Sequence, residues 1–382
     1  MALRRTSVFF VILAAAIPGV AQEEPATDLK RSIDSLSAFD HGTRMNAARV
    51  VRRAAPAGAA PALVQAVRGH SDQFVRYRAL VLLTAFNDRG TPDLMRSLLT
   101  DRNDRVRETA YRWFERHPDP GLTETLLAAL NTEQAEFVRP ALIRAVAVLP
   151  SDERVQRALT TEAGRGLDFF RSAVIEALGE HRATYAVQTI ASVAAADGPL
   201  QDDAVLALGR IGDRRAALTL ASLTNAPQEV TPALQAAQCL LGDSCEARIG
   251  WLTQAARSPA ARPETARAAV AALGAVASQG NSTAVDALME LENEGARLRL
   301  DVAFALSALA LRRPGDIIIW LGRAPDDVRA RAIDLLRDGF ERLEEDFAEE
   351  QVFAVARAAY WNAAEGSAMR TLTATLIDTL EF

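Results

Sequence analysis

The sequence contains few of the residues that build most catalytic and metal sites. Among 382 residues there are two cysteines, four histidines and 6% aromatic residues, and Lys30 is the single lysine. The histidines show no H-x-x-x-H or H-E-x-x-H spacing, and phosphate-binding loops, dinucleotide glycine fingerprints and G-x-S-x-G elbows are missing. These absences predict that the protein is not an enzyme and has no catalytic residues, no cofactor and no metal ion.

The sequence also has no long apolar run after its N-terminus and no excess of positive charge. A membrane-spanning helix needs about 18 or more consecutive apolar residues, and no such stretch is found. The formal net charge is -6, which argues against a surface built for nucleic acid. We therefore predict no nucleic-acid partner and no stable membrane insertion once the N-terminal segment described next has been removed.

The first residues have the pattern of a secretory signal peptide. Arg4 and Arg5 precede an apolar stretch at 8–17, which is too short to span a bilayer. Gly19 and Ala21 then place small residues at the −3 and −1 positions of a cleavage site. We predict a signal peptide at residues 1–21, cleavage after Ala21 and a periplasmic or secreted protein; an uncleaved anchor is the alternative.

The rest of the chain is a repeat of about thirty residues. Each copy begins with an apolar residue, often followed by arginine, and has small or apolar residues four, seven and eight positions later. Copies begin at positions 43, 75, 106, 138, 170, 200, 230, 265, 298 and 328. This spacing places the apolar positions on one face of a helix, with a shorter amphipathic segment and turn residues between copies.

These features predict an all-α fold, an α-α superhelical solenoid of about ten helical hairpins without a sheet. A single hairpin cannot bury enough apolar surface to be stable, whereas neighbouring hairpins bury each other's faces. We expect an N-terminal helical cap at 22–40, the solenoid at 41–345 and a C-terminal helical cap at 346–382. At roughly 8–10 Å between packed helices, the array would form a curved rod on the order of 100 Å long.

The repeat resembles the HEAT-repeat family, in particular its short, phycobilisome-lyase-type class, from about residue 41 to 345. The hallmark is an Asp or Asn followed by Val-Arg and then Ala, and it occurs as Asp72/Val75/Arg76/Ala79 and as Asn103/Val106/Arg107/Ala110. The resemblance implies a scaffold or binding platform, or, for a minority, a subunit of an enzyme that acts on tetrapyrrole-bearing proteins. Because the copies at 200, 230 and 265 lack the arginine, the arginine ladder typical of the family should break there.

The recurring arginines are interpreted as a structural ladder. Each would bind a carboxylate or the C-terminal carbonyls of a helix in the neighbouring repeat. The alternative is an anion-binding stripe. The ladder consists of Arg76, Arg107, Arg139, Arg171, Arg299 and Arg329.

The two cysteines, Cys239 and Cys245, flank a helix end and a Gly-containing turn. In an oxidising compartment this pair would close a small loop by a disulfide, with two free thiols as the alternative. A metal site is not expected, because no histidine accompanies them. The acidic run at 341–350 is interpreted as a solvated helix connection, since it lacks the alternating oxygen ligands of a calcium loop.

The concave surface is the predicted functional site. In a solenoid the second helix of each hairpin lines the concave side, and positions opposite its buried stripe should face solvent. Apolar and arginine side chains at such positions are candidate anchors for a partner. The candidates at these positions are Tyr77, Val81, Arg112, Arg144, Leu300 and Phe304. Trp113 is a further candidate, because it stands where most copies have a small residue or Leu.

These observations favour an exported, non-catalytic scaffold that binds a protein or peptide. Three other functions stay open at this point, and one of them is a purely structural spacer without a specific partner. An accessory subunit of a tetrapyrrole-lyase-like enzyme would need a pocket with converging ionisable groups. A peripheral membrane or cell-wall binding protein would need a basic or strongly apolar face.

Overall fold

The computed structural model describes residues 24–86, 88–223, 230–258, 261–292, 296–343 and 345–381, and the predicted signal peptide lies outside them. These residues form helices and contain no strand. The odd-numbered helices are α1 (Glu24–Asp34), α3 (Pro56–Gly69), α5 (Thr91–Leu98), α7 (Thr123–Thr132), α9 (Glu153–Gly164), α11 (Val187–Ala195), α13 (Ala216–Ser222), α15 (Cys245–Arg257), α17 (Ser282–Glu292) and α19 (Pro314–Arg323).

Each even-numbered helix up to α20 corresponds to one predicted copy of the repeat. They are α2 (His41–Arg53), α4 (Gln73–Leu83), α6 (Asp104–Arg116), α8 (Arg139–Ala147), α10 (Asp168–Glu180), α12 (Gln201–Ile211), α14 (Thr231–Leu240), α16 (Pro263–Ala277), α18 (Ala296–Arg312) and α20 (Asp326–Leu343). The predicted start points lie within two residues of the beginnings of these ten helices. Two further helices follow, α21 (Asp346–Asn362) and α22 (Ala368–Leu380). The predicted all-α solenoid is confirmed.

The Asp or Asn of the repeat hallmark begins the second helix of a hairpin. The Asp72 carboxylate accepts a hydrogen bond from the Phe74 backbone N–H at 2.8 Å, and the Asn103 side-chain oxygen accepts one from Arg105 at 2.9 Å. Such caps satisfy backbone donors that have no partner inside the helix. The residue type that marks the repeat in the sequence therefore marks a helix start in the structure.

The even-numbered helices form the inner row of the array because small residues let them approach closely. A Cβ placed on Gly179 would lie 2.9 Å from the Ala207 Cα, and one on Gly209 would lie 2.5 Å from the Ala237 Cα. Since the inner row packs more tightly than the outer row of odd-numbered helices, the array curves with the even-numbered helices on its concave side.

The curvature brings the two ends of the array together. Arg53 of α2 pairs with Glu381, which follows α22, at 2.9 Å. Arg116 of α6 donates to the Leu311 backbone carbonyl of α18 at 3.1 Å. The expected open rod is therefore wrong. Small angles between successive hairpins add up until the C-terminal helices contact the inner face of the first repeats.

The hydrophobic core follows the array as two buried clusters, one extending from Ile33 to Ala237 and one from Ala236 to Leu380. Phe347 of α21 is the exception, because it belongs to the N-terminal cluster. It is 5% exposed and packs with the buried side chains of the first repeats. The beginning of α21 thus contributes Phe347 to the core of the first repeats.

Candidate functional site

The N-terminal half of the concave surface is covered by α21. The Tyr77 hydroxyl donates to the Asp346 carboxylate at 2.7 Å, and Arg78 donates to the same carboxylate at 2.8 Å. The Gln351 amide donates to the Thr84 hydroxyl at 2.9 Å. Burial, together with the nearby Asp346 charge, raises the pKa of Tyr77 beyond its usual range. These contacts join α21 to α4 along the surface that was expected to bind a partner.

A buried ion pair joins α21 to α2. Arg52 Nε lies 2.6 Å from Glu350 Oε2, and the two side chains are 9% and 1% exposed. The Arg52 guanidinium also lies over the Phe353 ring, 4.5 Å from its centroid. Beside this pair, burial and the charge of Asp346 raise the pKa of Glu349 to about 7. The second half of the acidic run at 341–350 is therefore not the solvated connection that was expected, because arginines on the facing helices bind Asp346 and Glu350.

Three of the predicted anchors are buried by this arrangement. Tyr77, Val81 and Trp113 are 6%, 4% and 7% exposed. The expectation that Tyr77 and Val81 face solvent is therefore wrong, and Trp113 is buried as well. The Trp113 ring stacks on His117 with 4.1 Å between ring centroids. Arg112 pairs with Glu345 and, at 3.0 Å, with Glu108. The chain's own C-terminal segment occupies the place that a partner was predicted to take.

Arg144 belongs to a cluster of charges at the centre of the concave side. It pairs with Glu176 at 2.8 Å and with Glu180, and Arg312 of α18 pairs with the same two carboxylates. Burial alone would raise the pKa of Glu176, but Arg312 and Arg144 outweigh it and hold the pKa at about 2. This cluster links α8 and α10 to α18, so Arg144 has a role in closing the array.

The C-terminal half of the concave surface stays accessible as a groove. It has a volume of about 470 Å³ and runs along α16 and α18 to the end of α12. Its walls comprise five alanines together with Arg210, Arg267, Gly274, Ser278, Asp301, Phe304 and Arg312. Leu300, 41% exposed, lies one turn before Phe304 on the same face of α18. We call this surface the C-terminal groove, and it contains the predicted anchor Phe304.

Two charged side chains of the C-terminal groove, Arg210 and Asp301, form no ion pair with any residue that the structure describes. Arg210 Nε is buried and has no hydrogen-bond partner in the described part of the chain. Burial lowers the pKa of Arg210, against the opposing effect of Glu176. Burial also raises the pKa of Asp301, and the positive charge of Arg267 offsets part of this increase. Sequence reasoning did not single out these two residues, because the absence of a partner is visible only in three dimensions.

The recurring arginines have structural partners. Four of the six, Arg76, Arg107, Arg139 and Arg299, reach the neighbouring repeat as the ladder interpretation predicts. Among the described residues, Arg171 and Arg329 bind only within their own hairpins. Arg107 forms a double hydrogen bond with Glu133, with both distances 2.8 Å, and donates to the Asp101 carbonyl at 2.9 Å. It thereby joins the C-terminal ends of α5 and α7. The other members bind as follows: Arg76 to Val67 O and Asp101, Arg139 to Glu133 O and Glu162, Arg171 to Ala163 O and Asp168, Arg299 to Glu292 and Asp338, and Arg329 to Leu321 O and Ala324 O.

Glutamine continues the ladder in one copy that lacks the arginine. Gln201 occupies the same position in the copy that begins at 200, and its side-chain amide donates to the Ala194 carbonyl at 3.0 Å. The contact matches that of Arg171 with Ala163 in the preceding repeat. In the copy at 265 the position holds Ala266, whose side chain has no donor. The ladder therefore continues through Gln201 and is interrupted at Ala266.

Cys239 and Cys245 are joined by a disulfide at the junction of α14 and α15. The bond lies beside the turn at Gly242, whose φ of 86° favours glycine. In the described part of the chain no group of three His, Cys, Asp or Glu side chains is placed to hold a metal ion. Among the described helices, none has both the length and the apolar character needed to cross a membrane.

The repeat family follows from comparison with known sequences. The model of the family described as HEAT repeats matches residues 30–112 and 60–147. Residues 30–147 are HEAT repeats. Beyond residue 147 the same alternation of outer and inner helices continues through α20. No curated protein matches the chain.

Several solved structures resemble the HEAT-repeat chain at low identity. A mutant of Kap121p is 13% identical with a TM-score of 0.43, and the match covers 93% of this chain and 45% of that protein. Human deoxyhypusine hydroxylase in complex with glycerol is 16% identical with a TM-score of 0.29, over 68% of this chain and 97% of that one. UNC-45 from Drosophila melanogaster is 11% identical with a TM-score of 0.24, and the match covers 94% of this chain and 58% of that one. At these values the three proteins differ too much from this chain to inform its function.

Proposed function

We propose that this HEAT-repeat chain is an exported, non-catalytic scaffold that binds a protein partner in the C-terminal groove. The observation that carries the proposal is the division of the concave surface. Its N-terminal half is covered by α21, whereas the C-terminal half keeps an open groove with Phe304 and Leu300 on one face of α18. A half-buried aromatic ring among small side chains suits the insertion of a partner's apolar residue.

Site-specific photocrosslinking tests the groove. Benzoyl-phenylalanine is placed at Phe304 and, as the matched control, at Leu218, an 82% exposed residue of the outer helix α13. We expect a discrete adduct from position 304 and none of the same mass from position 218. The additional change Leu300→Asp should reduce the yield at least fivefold, since it places a charge beside the apolar contact. No adduct at 304, or identical adducts from both positions, would contradict the proposal.

Export is supported by the signal-like residues at the N-terminus and by the Cys239–Cys245 disulfide, which persists in oxidising compartments. Intact mass spectrometry of the protein from its native source tests both features together. We expect a mature N-terminus at Gln22 and two thiols that react with an alkylating reagent only after reduction. Free thiols in the untreated protein together with a retained Met1 would contradict export, whereas a retained Met1 with an intact disulfide would indicate the uncleaved anchor.

A further inference from the structure

The C-terminal groove has an unpaired positive charge near one end and an unpaired negative charge near the other. Asp301 and Arg312 lie on α18, and eleven residues separate them, which corresponds to about 16 Å along a helix. Arg210 lies at the same end of the groove as Arg312, because both guanidinium groups are close enough to Glu176 to lower its pKa. Arg267 acts on Asp301 at the opposite end, and its own contact is with Glu264 at 3.5 Å.

Arg210 is the group that most needs a partner. Its neighbours already use their charges elsewhere, because Arg312 and Arg144 share Glu176 and Glu180, and Asp203 accepts the Ser172 hydroxyl. A buried guanidinium Nε–H without an acceptor costs free energy, and a carboxylate from outside would supply that acceptor. A carboxylate also suits the planar, forked donors of arginine.

The surface of the groove between these charges is apolar and is formed mainly by small side chains. Phe304 lies between Asp301 and Arg312 on α18, and the alanines and Gly274 beside it leave room for a backbone to approach closely. An extended chain advances about 3.3 Å per residue, so the length of the groove corresponds to about five residues. A helix of the same length, about 10 Å in diameter, would occupy roughly 1,250 Å³. The groove has a volume of about 470 Å³, so a short extended segment fits better than a helix.

We propose that the C-terminal groove binds an extended peptide segment of about five residues with an acidic side chain at one end, apolar side chains in the middle and a basic side chain at the other end. The carboxylate pairs with Arg210, the apolar side chains contact Phe304, and the cation pairs with Asp301. This inference rests on the proposed function and adds to it the chemistry of the partner.

The test uses three pools of blocked, fluorescein-labelled pentapeptides with Ala, Leu or Phe at the three middle positions. The first pool has Lys first and Glu last, the second has the reverse order, and the third has Gln at both ends. Fluorescence anisotropy should show binding of one charged pool with a dissociation constant below about 1 mM, and at least tenfold weaker binding of the Gln pool. Equal binding of all three pools, or of none, would overturn the inference.

Two substitutions that nearly preserve the shape of the side chain test which residues bind the charged ends of the peptide. Arg210→Gln should weaken binding of the preferred charged pool at least tenfold, and Asp301→Asn should weaken it severalfold. The matched control is Arg157→Gln on the outer helix α9, where the side chain is 67% exposed, and it should leave binding unchanged. Binding that is insensitive to Arg210→Gln would contradict the assignment.

The same variants separate this inference from the proposed function. If the crosslinking yield at position 304 is insensitive to both Arg210→Gln and Asp301→Asn, the result agrees with the proposed scaffold function but contradicts the proposed peptide with charged ends. If no partner is crosslinked at position 304, the proposed function is contradicted, whether or not the peptides bind.

Discussion

Replacing Gly209 by alanine is expected to lower the free energy of unfolding by about 3 kcal/mol. The new Cβ would lie 2.5 Å from the Ala237 Cα and 2.9 Å from the Ala237 carbonyl oxygen, both backbone atoms of the next inner helix. Because a backbone cannot rotate away as a side chain can, α12 and α14 would have to move apart. The midpoint of urea unfolding, followed by circular dichroism at 222 nm, measures the effect.

Gly250→Ala is the matched control, since Gly250 also lies inside a helix, α15, and a Cβ there meets no atom within 4 Å. This change should raise the stability by about 0.5–1 kcal/mol, the usual gain for alanine over glycine within a helix. If the two variants were equally stable, close contact between inner helices would not determine the curvature of the array.

The second large effect is expected for Arg52→Met, which leaves the buried carboxylate of Glu350 without its main partner. Loss of one member of a buried ion pair costs about 3–5 kcal/mol. Arg357, 3.4 Å from Glu350, offsets part of this cost, so we expect a loss of about 2–3 kcal/mol. Amide hydrogen exchange in α21 should become at least tenfold faster, while exchange in α12 to α16 stays unchanged.

Two further variants complete this experiment. Arg52→Met combined with Glu350→Leu should recover most of the stability, because an apolar pair fills the same buried space without a charge. Arg157→Met removes an exposed pair with Glu153 and should change the stability by less than about 0.5 kcal/mol. Unchanged exchange in α21 of the Arg52→Met variant would show that the ion pair does not hold the array closed.

The repeats could be located from the sequence because each one is built from local signals. The start of α4 depends on Asp72 as a cap and on apolar residues at helical spacing, and both are visible in one chain segment. The partners of Arg76 and Arg107 follow from the same periodicity, since each arginine reaches the end of the next outer helix. Stacking depends on contacts between adjacent repeats, so each copy of the sequence pattern specifies the same contacts again.

The closure of the array could not be predicted in this way. It depends on the angle between successive hairpins, and small differences at Gly179 or Gly209 accumulate over ten repeats. Tyr77 and Asp346 are 269 residues apart in sequence, and no local pattern links them. The burial of Tyr77 and Trp113 therefore emerged only with the complete fold, as did the missing partner of Arg210.

Small-angle X-ray scattering of the mature chain tests the closed array most directly. A closed array should have a radius of gyration of about 20–25 Å, near the value for a compact chain of this length. The structure predicts a value in this range for the wild-type protein and a clear increase for the Arg52→Met variant. A wild-type radius of about 30 Å or more, as for an open rod on the order of 100 Å long, would contradict the coverage of the N-terminal repeats by α21.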